Sequence, residues 1–239
     1  MTLYIGTSGF AYREWKPDFY PAELAQTRYL EHYCKMLSAC ELNATFYRLH
    51  TDAAVGRWAA LAPESFRFAA KAHRAITHSR VFPPDHEGRS FLDTFLRSLS
   101  PLGPRLGAVL FQLPQHRPRD DAALEAFLRA LPAGTNYAIE FRDPSWDAEP
   151  VRDLVAGHGA TVCVSDTGGD VPSVLPVGPI AYVRLRRERY GEEERAAWLK
   201  LLTTEAEHRN VYAFSKHEGI ATSDPCGGIG LARWLTANA

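Results

Sequence analysis

Residues 137–142, Tyr-Ala-Ile-Glu-Phe-Arg, alternate with a period of two. That spacing predicts a strand with unlike faces, with Tyr137, Ile139 and Phe141 on one side and Ala138, Glu140 and Arg142 on the other. Asp143-Pro144 ends it, because proline cannot donate to a ladder and biases the residue before it away from helix. Such a segment is either an edge strand with a solvated face or a barrel strand whose charged end opens into a pocket. Repetition of the pattern elsewhere decides between them.

The pattern repeats. Short apolar runs predict strands at residues 3–8, 39–43, 66–72, 106–113, 161–165, 181–185 and 211–215, in addition to 137–142. Between most of them lie helical periods. Residues 29–37 place Leu30, Tyr33, Cys34 and Leu37 at three- and four-residue spacing, and Thr51 caps a helix carrying Val55, Trp58 and Leu61. Further helices are predicted at 90–99, 121–131, 151–158 and 192–208, the last with acidic residues in its first turn, as the helix dipole favours. A Gly-rich turn, Gly227-Gly228-Ile229-Gly230, opens a terminal helix that runs through Leu235. Residues 168–178 are rich in Gly and Pro and lack a helical period, so they are expected to be loop.

Eight strands, most followed by a helix, imply a parallel sheet with right-handed crossovers. In a chain of 239 residues this is the size of one (β/α)8 TIM-type barrel, residues 1–239, α/β in class and somewhat irregular, with a loop in place of the helix between strands 6 and 7. A doubly wound sheet is disfavoured, since no Gly-rich fingerprint follows a strand with an acidic residue at the required distance.

Composition narrows the function. A net charge of −1 provides no global field for nucleic acid or an anionic membrane, although a local basic pocket stays compatible with it. The four cysteines show neither C-x-x-C nor metal-type spacing, which points to reduced thiols. The chain starts straight into Leu3-Tyr4-Ile5-Gly6, and no apolar run approaches the about 20 residues needed to span a bilayer. A cytoplasmic protein is expected.

Barrel enzymes place their sites at the C-terminal ends of the strands. Strand ends here supply Glu41, Asn43, Lys71, Gln112, Glu140, Arg142, Asp166, Arg184, Arg186 and Lys216. Burying such charges costs several kcal/mol per ion unless they are paired, so a ring this large points to a ligand. The plainer alternative is internal ion pairing, Glu140 with Arg184 or Glu41 with Arg142, filling the barrel top. Cations outnumber carboxylates, so the pocket should prefer an anion, with guanidinium groups gripping carboxylate or phosphate. Glu41, Lys71, Glu140 and Asp166 are the catalytic candidates. Carboxylates with unlike neighbours can divide acid and base roles. Lys71 beside other cations is either a base or imine-forming nucleophile at depressed pKa, or a charge clamp closing its strand. Asn43, Tyr47, His73, Gln112, Arg142, Arg184, Arg186, Lys216 and His217 are the ligand-binding candidates.

Metal binding is the rival reading. Glu41, Glu140, Asp166, His73, His78 and His217 are suitable donor types. No His-x-His or His-x-x-x-His occurs and the neighbouring cations oppose a bound ion, so no cofactor is predicted and a divalent metal is not favoured. The 227–230 turn has the position where barrels bind phosphate, or it is a plain flexible connection. Phe10, Tyr12, Trp15, Phe46 and Tyr47 are divided between pocket wall and core. The polar loop after residue 72 also carries Arg74, Thr77, His78 and Arg80, and Glu218 follows His217.

Several motifs carry a resemblance. Gly6-Thr7-Ser8-Gly9-Phe10-Ala11-Tyr12 with Trp15 and Phe19-Tyr20-Pro21 comes first, then Glu41-Leu42-Asn43-Ala44-Thr45-Phe46-Tyr47. Lys71-Ala72-His73-Arg74-Ala75-Ile76-Thr77-His78, Phe111-Gln112-Leu113-Pro114 and Glu140-Phe141-Arg142-Asp143-Pro144-Ser145-Trp146 follow in order. Together they resemble the YecE/YunF-like family (domain of unknown function 72) over nearly the whole chain. The resemblance implies a TIM-type barrel and no particular activity. Many relatives have paired asparagines after the last strand, where this chain has Ser215-Lys216-His217.

Three functions are therefore expected to compete. The first is an enzyme using acid–base chemistry on a small anionic substrate, phosphorylated or carboxylated. The second is a non-catalytic module that binds an anionic metabolite. The third is a metal-dependent nuclease or isomerase on a similar barrel. The partner is a small anionic ligand, with no membrane and with nucleic acid disfavoured.

Overall fold

The computed structural model describes residues 1–79, 82, 86–217 and 220–239; Arg80 and Glu218 lie outside the described residues. Nine strands form one sheet: β1 (Leu3–Ser8), β2 (Ala39–Leu42), β3 (Arg67–Lys71), β4 (Leu106–Gln112), β5 (Tyr137–Glu140), β6 (Thr161–Val162), β7 (Val164–Asp166), β8 (Ile180–Leu185) and β9 (Asn210–Ser215). Among the described residues eight α-helices accompany them: α1 (Tyr29–Met36), α2 (Asp52–Leu61), α3 (Arg74–Thr77), α4 (His86–Ser98), α5 (Asp121–Arg129), α6 (Glu149–Gly157), α7 (Glu192–Ala206) and α8 (Gly228–Asn238). No helix among the described residues is long and apolar enough to cross a membrane. Cys34, Cys40, Cys163 and Cys226 are all free thiols.

The strand order is β6-β5-β4-β3-β2-β1-β9-β8-β7, and every pairing is parallel. The result is an α/β fold with a nearly closed, barrel-like sheet of nine strands, where eight were expected. The difference arises at Cys163. The single run expected at 161–165 changes partner there, pairing with β5 before it (Ile139↔Val162) and with β8 after it (Val164↔Val183). The two edges of the sheet are thus consecutive in the chain, and the Cys163 amide donates to the Ile139 carbonyl of β5 (2.8 Å), carrying the β5–β6 pairing up to the break.

Alternation sorts the side chains of each strand. Tyr4, Ala39, Ala69, Ala108, Leu110, Ala138, Cys163, Tyr182, Tyr212 and Phe214 form one buried cluster inside the barrel. At its floor Tyr4 and Tyr212 stack 5.0 Å apart, with Arg67 5.5 Å over the Tyr4 ring. The alanines Ala39, Ala69, Ala108 and Ala138 belong to the same cluster. Outward residues pack under the helices, Cys40, Leu42 and Phe68 with Leu30, Tyr33 and Val55, and Val109, Phe111 and Ile139 with Phe95, Leu124 and Phe127. Each such apolar side chain contributes about 1.5–3 kcal/mol when fully buried. Of the aromatics divided between pocket wall and core, Trp15 is buried in the first of these clusters and Phe10 and Tyr12 pack against it.

Helix starts follow local chemistry. Thr51 Oγ1 accepts from the Ala54 amide (3.3 Å) and Asp120 Oδ1 from the Ala123 amide (2.9 Å). Glu194 reaches back to the Gly191 amide (2.7 Å) to start α7. Residues 167–179 contain no helix, as their Gly and Pro content predicts. A groove of about 820 Å³ lies on this flank, between this segment and α6, and Val162 and Val164 stay half-buried in its wall.

Candidate functional site

All nine strands run the same way, so their C-terminal ends share one mouth. Glu41 closes β2 on the inward side, since its neighbour Ala39 belongs to the lumen cluster. Lys71 follows Ala69, Gln112 follows Leu110, Glu140 follows Ala138, and Arg184 follows Tyr182 in the same way. Arg186 shares the Arg184 side, one period further on.

Arg184 is the hub. Its Nη2 donates to Glu41 Oε1 (2.8 Å) and its Nη1 to Glu140 Oε2 (2.5 Å). Glu41 is fully buried (0 % exposed) and Glu140 nearly so (1 %). Glu41 Oε1 also accepts from Ser8 Oγ (2.6 Å) and from Arg186 Nη2 (3.3 Å), while its Oε2 accepts from Tyr182 OH (2.8 Å). Arg186 Nη2 donates to Ser8 Oγ as well (2.5 Å). Arg142 Nε reaches Glu140 Oε1 at 3.3 Å from a half-exposed position. Of the two internal pairs expected, Glu140 with Arg184 forms; Glu41 pairs with Arg184 and Arg186, not with Arg142.

Electrostatics divide these groups. Burial pushes the Glu41 carboxyl up, but attraction to Arg184 and Arg186, with the Ser8 hydrogen bond, outweighs it and holds the pKa at about 2. Glu140 is likewise lowered, burial opposing and Arg184, Gln112 and Arg142 prevailing. Both carboxylates are locked in the charged form. Arg186 moves down, because burial and the adjacent Arg184 outweigh Glu41. Lys71 falls to about 8, first through burial and then through repulsion by Arg184, partly offset by Glu41 and Glu140. Its ammonium sits 4.0 Å from the centre of the Phe46 ring and makes no hydrogen bond or ion pair among the described residues.

Lys71, Arg142, Arg184 and Arg186 face Glu41 and Glu140, which leaves the mouth with a positive excess. Among the described residues, buried side-chain atoms without a hydrogen-bond partner gather there too: Asn43 Oδ1, Arg184 Nε and Arg186 Nε. Native interiors hold few such atoms, and each costs about 1–3 kcal/mol.

Other candidates lie elsewhere. Asp166 is on the outward face, in register with Leu185, because Ser165 is the residue paired with Arg184. Its carboxylate accepts from Arg187 Nε (2.7 Å) and Trp198 Nε1 (2.9 Å), so it ties β7 to α7 and stays out of the ring. His73 Nδ1 accepts from the Ala75 amide (3.1 Å) as the cap of α3, and its ring packs on Phe91. Tyr47 is 66 % exposed at the rim, edge-on to Phe46. The His217 ring stacks on Tyr12 (4.2 Å) and its carbonyl accepts from Trp15 Nε1, fastening the loop after β1. Lys216 continues the Phe214 side just past β9. The 227–230 turn serves backbone packing. A Cβ at Gly227 would meet the Glu188 carbonyl at 2.4 Å and one at Gly230 the Asp224 carbonyl at 2.0 Å, so the chain covers the start of α8 closely.

Ser8 and Tyr182 join the site without having been singled out for it, and His78, named above only as a metal-donor candidate, lies beside it. Tyr182 is signalled by its two-residue spacing from Arg184. His78 packs edge-on to Phe46 (5.1 Å), and its imidazole is lowered by burial and by Lys71, His116, Arg142 and Arg117. Ser8 shows no sequence signal beyond its place at a strand end. Among the described residues no three His, Cys, Asp or Glu side chains converge as a metal site.

Comparison with known proteins follows the same lines. Over 158 residues the chain is 31% identical to the UPF0759 protein YecE of Escherichia coli, a match covering 66% of this chain and 54% of that protein. It is 29% identical to the UPF0759 protein YunF of Bacillus subtilis over 186 residues, 72% of this chain and 65% of that one. The chain thus spans between half and two thirds of the curated relatives it matches. A DUF72 family protein of Thermotoga maritima superposes with a TM-score of 0.76 at 23% identity, covering 100% of this chain and 98% of that one. Another from Enterococcus faecalis gives 0.71 at 18% identity, with the same coverage. These two share the fold. The family model described as "Protein of unknown function DUF72" matches residues 4–224, and the chain belongs to the DUF72 family.

Proposed function

We propose that the barrel mouth binds a small anionic compound, phosphorylated or carboxylated, and acts on it by acid–base chemistry. We read β6 and β7 as one barrel strand interrupted at Cys163, which makes the architecture an eight-stranded TIM-type barrel with its site at the C-terminal face. The observation that carries the reading is the coincidence of a positive excess with buried Nε donors on Arg184 and Arg186 that have no partner among the described residues. A phosphate or carboxylate matches both. Arg142 and Arg186 are the gripping groups, since Arg184 is spent on two glutamates.

In this reading the acid–base roles move away from the candidate carboxylates Glu41 and Glu140. A carboxylate held near pKa 2 is a weak base and is never an acid at neutral pH. Lys71, at about 8, is the group poised to exchange a proton under physiological conditions. The locked carboxylates favour a second reading, a module that binds the anion and returns it unchanged.

A thermal-shift panel of phosphorylated and carboxylated metabolites tests the proposal. Inorganic phosphate or a panel member raises the melting temperature of the wild-type chain, and Arg186→Gln weakens that binding by about 1.5–3 kcal/mol, the range for a charge-assisted hydrogen bond. No response to any anion overturns the site. A bound compound recovered unchanged after long incubation selects the binding module.

A further inference from the structure

We propose that Lys71 is an imine-forming amine, so that the anions taken by this mouth are ones that also carry an aldehyde or ketone. This deepens the anion-binding reading above and rests on it. The geometry separates Lys71 from the other cations. Arg184 has two carboxylate partners, Arg186 has Glu41 and Arg142 has Glu140. A lysine serving as a charge clamp would pair with a carboxylate too, and Lys71 pairs with none among the described residues.

What holds Lys71 instead is an aromatic seat. Thr45 Oγ1 donates to the Leu42 carbonyl (2.6 Å) and the Lys71 carbonyl (2.7 Å), which fixes the turn after β2 against the end of β3. The adjacent Phe46 then lies 4.0 Å under the ammonium, and His78 stands edge-on to the same ring. The amine is therefore positioned on the lumen side of β3, and among the described residues no hydrogen-bond donor ties up its lone pair once it is deprotonated.

The charges around it suit the chemistry. Arg184 from β8 and Arg142 after β5 disfavour the ammonium, Glu41 from β2 and Glu140 from β5 favour it, and His78, itself lowered by Lys71, stays neutral near pH 7. Burial tips the balance, and about half of the amine is neutral at pH 8, against under about 1 % for an ordinary lysine. Neutral amine is the nucleophile that carbonyl addition requires. The step balances without oxidant or reductant. The amine nitrogen bonds to the carbonyl carbon, the carbonyl oxygen leaves as one water with two protons, and the former ammonium charge stays on the protonated C=N. Arg142 and Arg186 hold the carboxylate or phosphate of the same molecule. A protonated imine at this position is the electron sink shared by aldol cleavage and the dehydration of hydroxy-oxo acids.

The test is reductive trapping in the full chain, which has five lysines. Pyruvate and glyceraldehyde 3-phosphate serve as charged probes and acetone as the uncharged control, each with sodium cyanoborohydride, and adducts are assigned by peptide mass spectrometry. The expected result is one adduct, on Lys71, formed roughly tenfold or more faster from a charged probe than from acetone, the worth of one charge-assisted hydrogen bond. Its rate should rise with pH to a midpoint near 8, fall on addition of inorganic phosphate, and fall again in Arg186→Gln. Lys71→Arg should give no adduct while phosphate still raises its melting temperature. Absence of a Lys71 adduct, or even labelling of all lysines, with phosphate still stabilising the wild type, overturns the imine and leaves the anion site. If phosphate fails to stabilise the wild type as well, both fall.

Discussion

Replacing Glu41 by Gln keeps the shape of the side chain and removes one charge from the centre of the mouth. Arg184 is left with Glu140 alone and Arg186 with no carboxylate. Removing one partner from a buried pair costs about 3–5 kcal/mol, because an uncompensated charge stays behind. A second route gives a similar size. The Glu41 pKa falls from 4.5 to about 2 on folding, which corresponds to about 3 kcal/mol of stability. Because the folded-state value is depressed, that stability is fully present above pH 4.5 and is lost as pH falls through 2. Urea unfolding followed by circular dichroism should therefore show Glu41→Gln less stable by about 3 kcal/mol at pH 7, with the gap cut to under about 1.5 kcal/mol at pH 3. A gap below about 1 kcal/mol at pH 7, or one equally large at pH 3, would refute the pairing argument.

Lys71→Met should stabilise the protein at pH 7 by at most about 3 kcal/mol, since the wild type keeps a disfavoured buried charge there. The folded-state pKa is lowered, so wild-type stability climbs as pH rises from 8 to 10.5 and the gap must close over that window; a variant less stable at pH 7 contradicts this. Arg186→Gln should leave the unliganded protein within about 1 kcal/mol of wild type or more stable, because burial and Arg184 already disfavour this cation. Chemical denaturation showing a loss above about 2 kcal/mol would make Arg186 a structural clamp. Asp166→Asn should cost about 1.5–3 kcal/mol by weakening the bonds from Arg187 and Trp198, and leave the phosphate-dependent melting shift untouched. Loss of that shift would return Asp166 to the site.

Period-two alternation carried the sequence reading furthest. It placed Ala138, Glu140 and Arg142 on one side of their strand and brought Glu41, Lys71, Glu140 and Arg184 to strand ends. What alternation omits is which strands meet across the lumen. Glu41 and Arg184 lie 143 positions apart, and their contact depends on barrel radius and stagger, which no local window contains. Asp166 shows the opposite error, a strand end taken for an inward residue. Counting from Cys163, which lines the lumen, puts Ser165 inside and Asp166 outside. The change of partner at Cys163 is also non-local, since it is made by β5 on one side and β8 on the other. His73 was legible as a polar residue after a strand, but its task is to cap α3, a local role that competes with any ligand role.

The Glu41–Arg184–Glu140 bridge joins β2, β8 and β5, none of which neighbours another in the sheet. Such a brace has nothing to hold until the sheet has curled round and brought distant chain segments together. Loop-closure entropy must be met before contacts of this sequence separation return any free energy. The bridge therefore belongs to the late, native side of the folding barrier, where interactions govern the rate of escape from the native state more than the rate of reaching it. The charges that prepare this mouth for an anion also act as a latch, fastened last and lengthening the lifetime of the folded barrel.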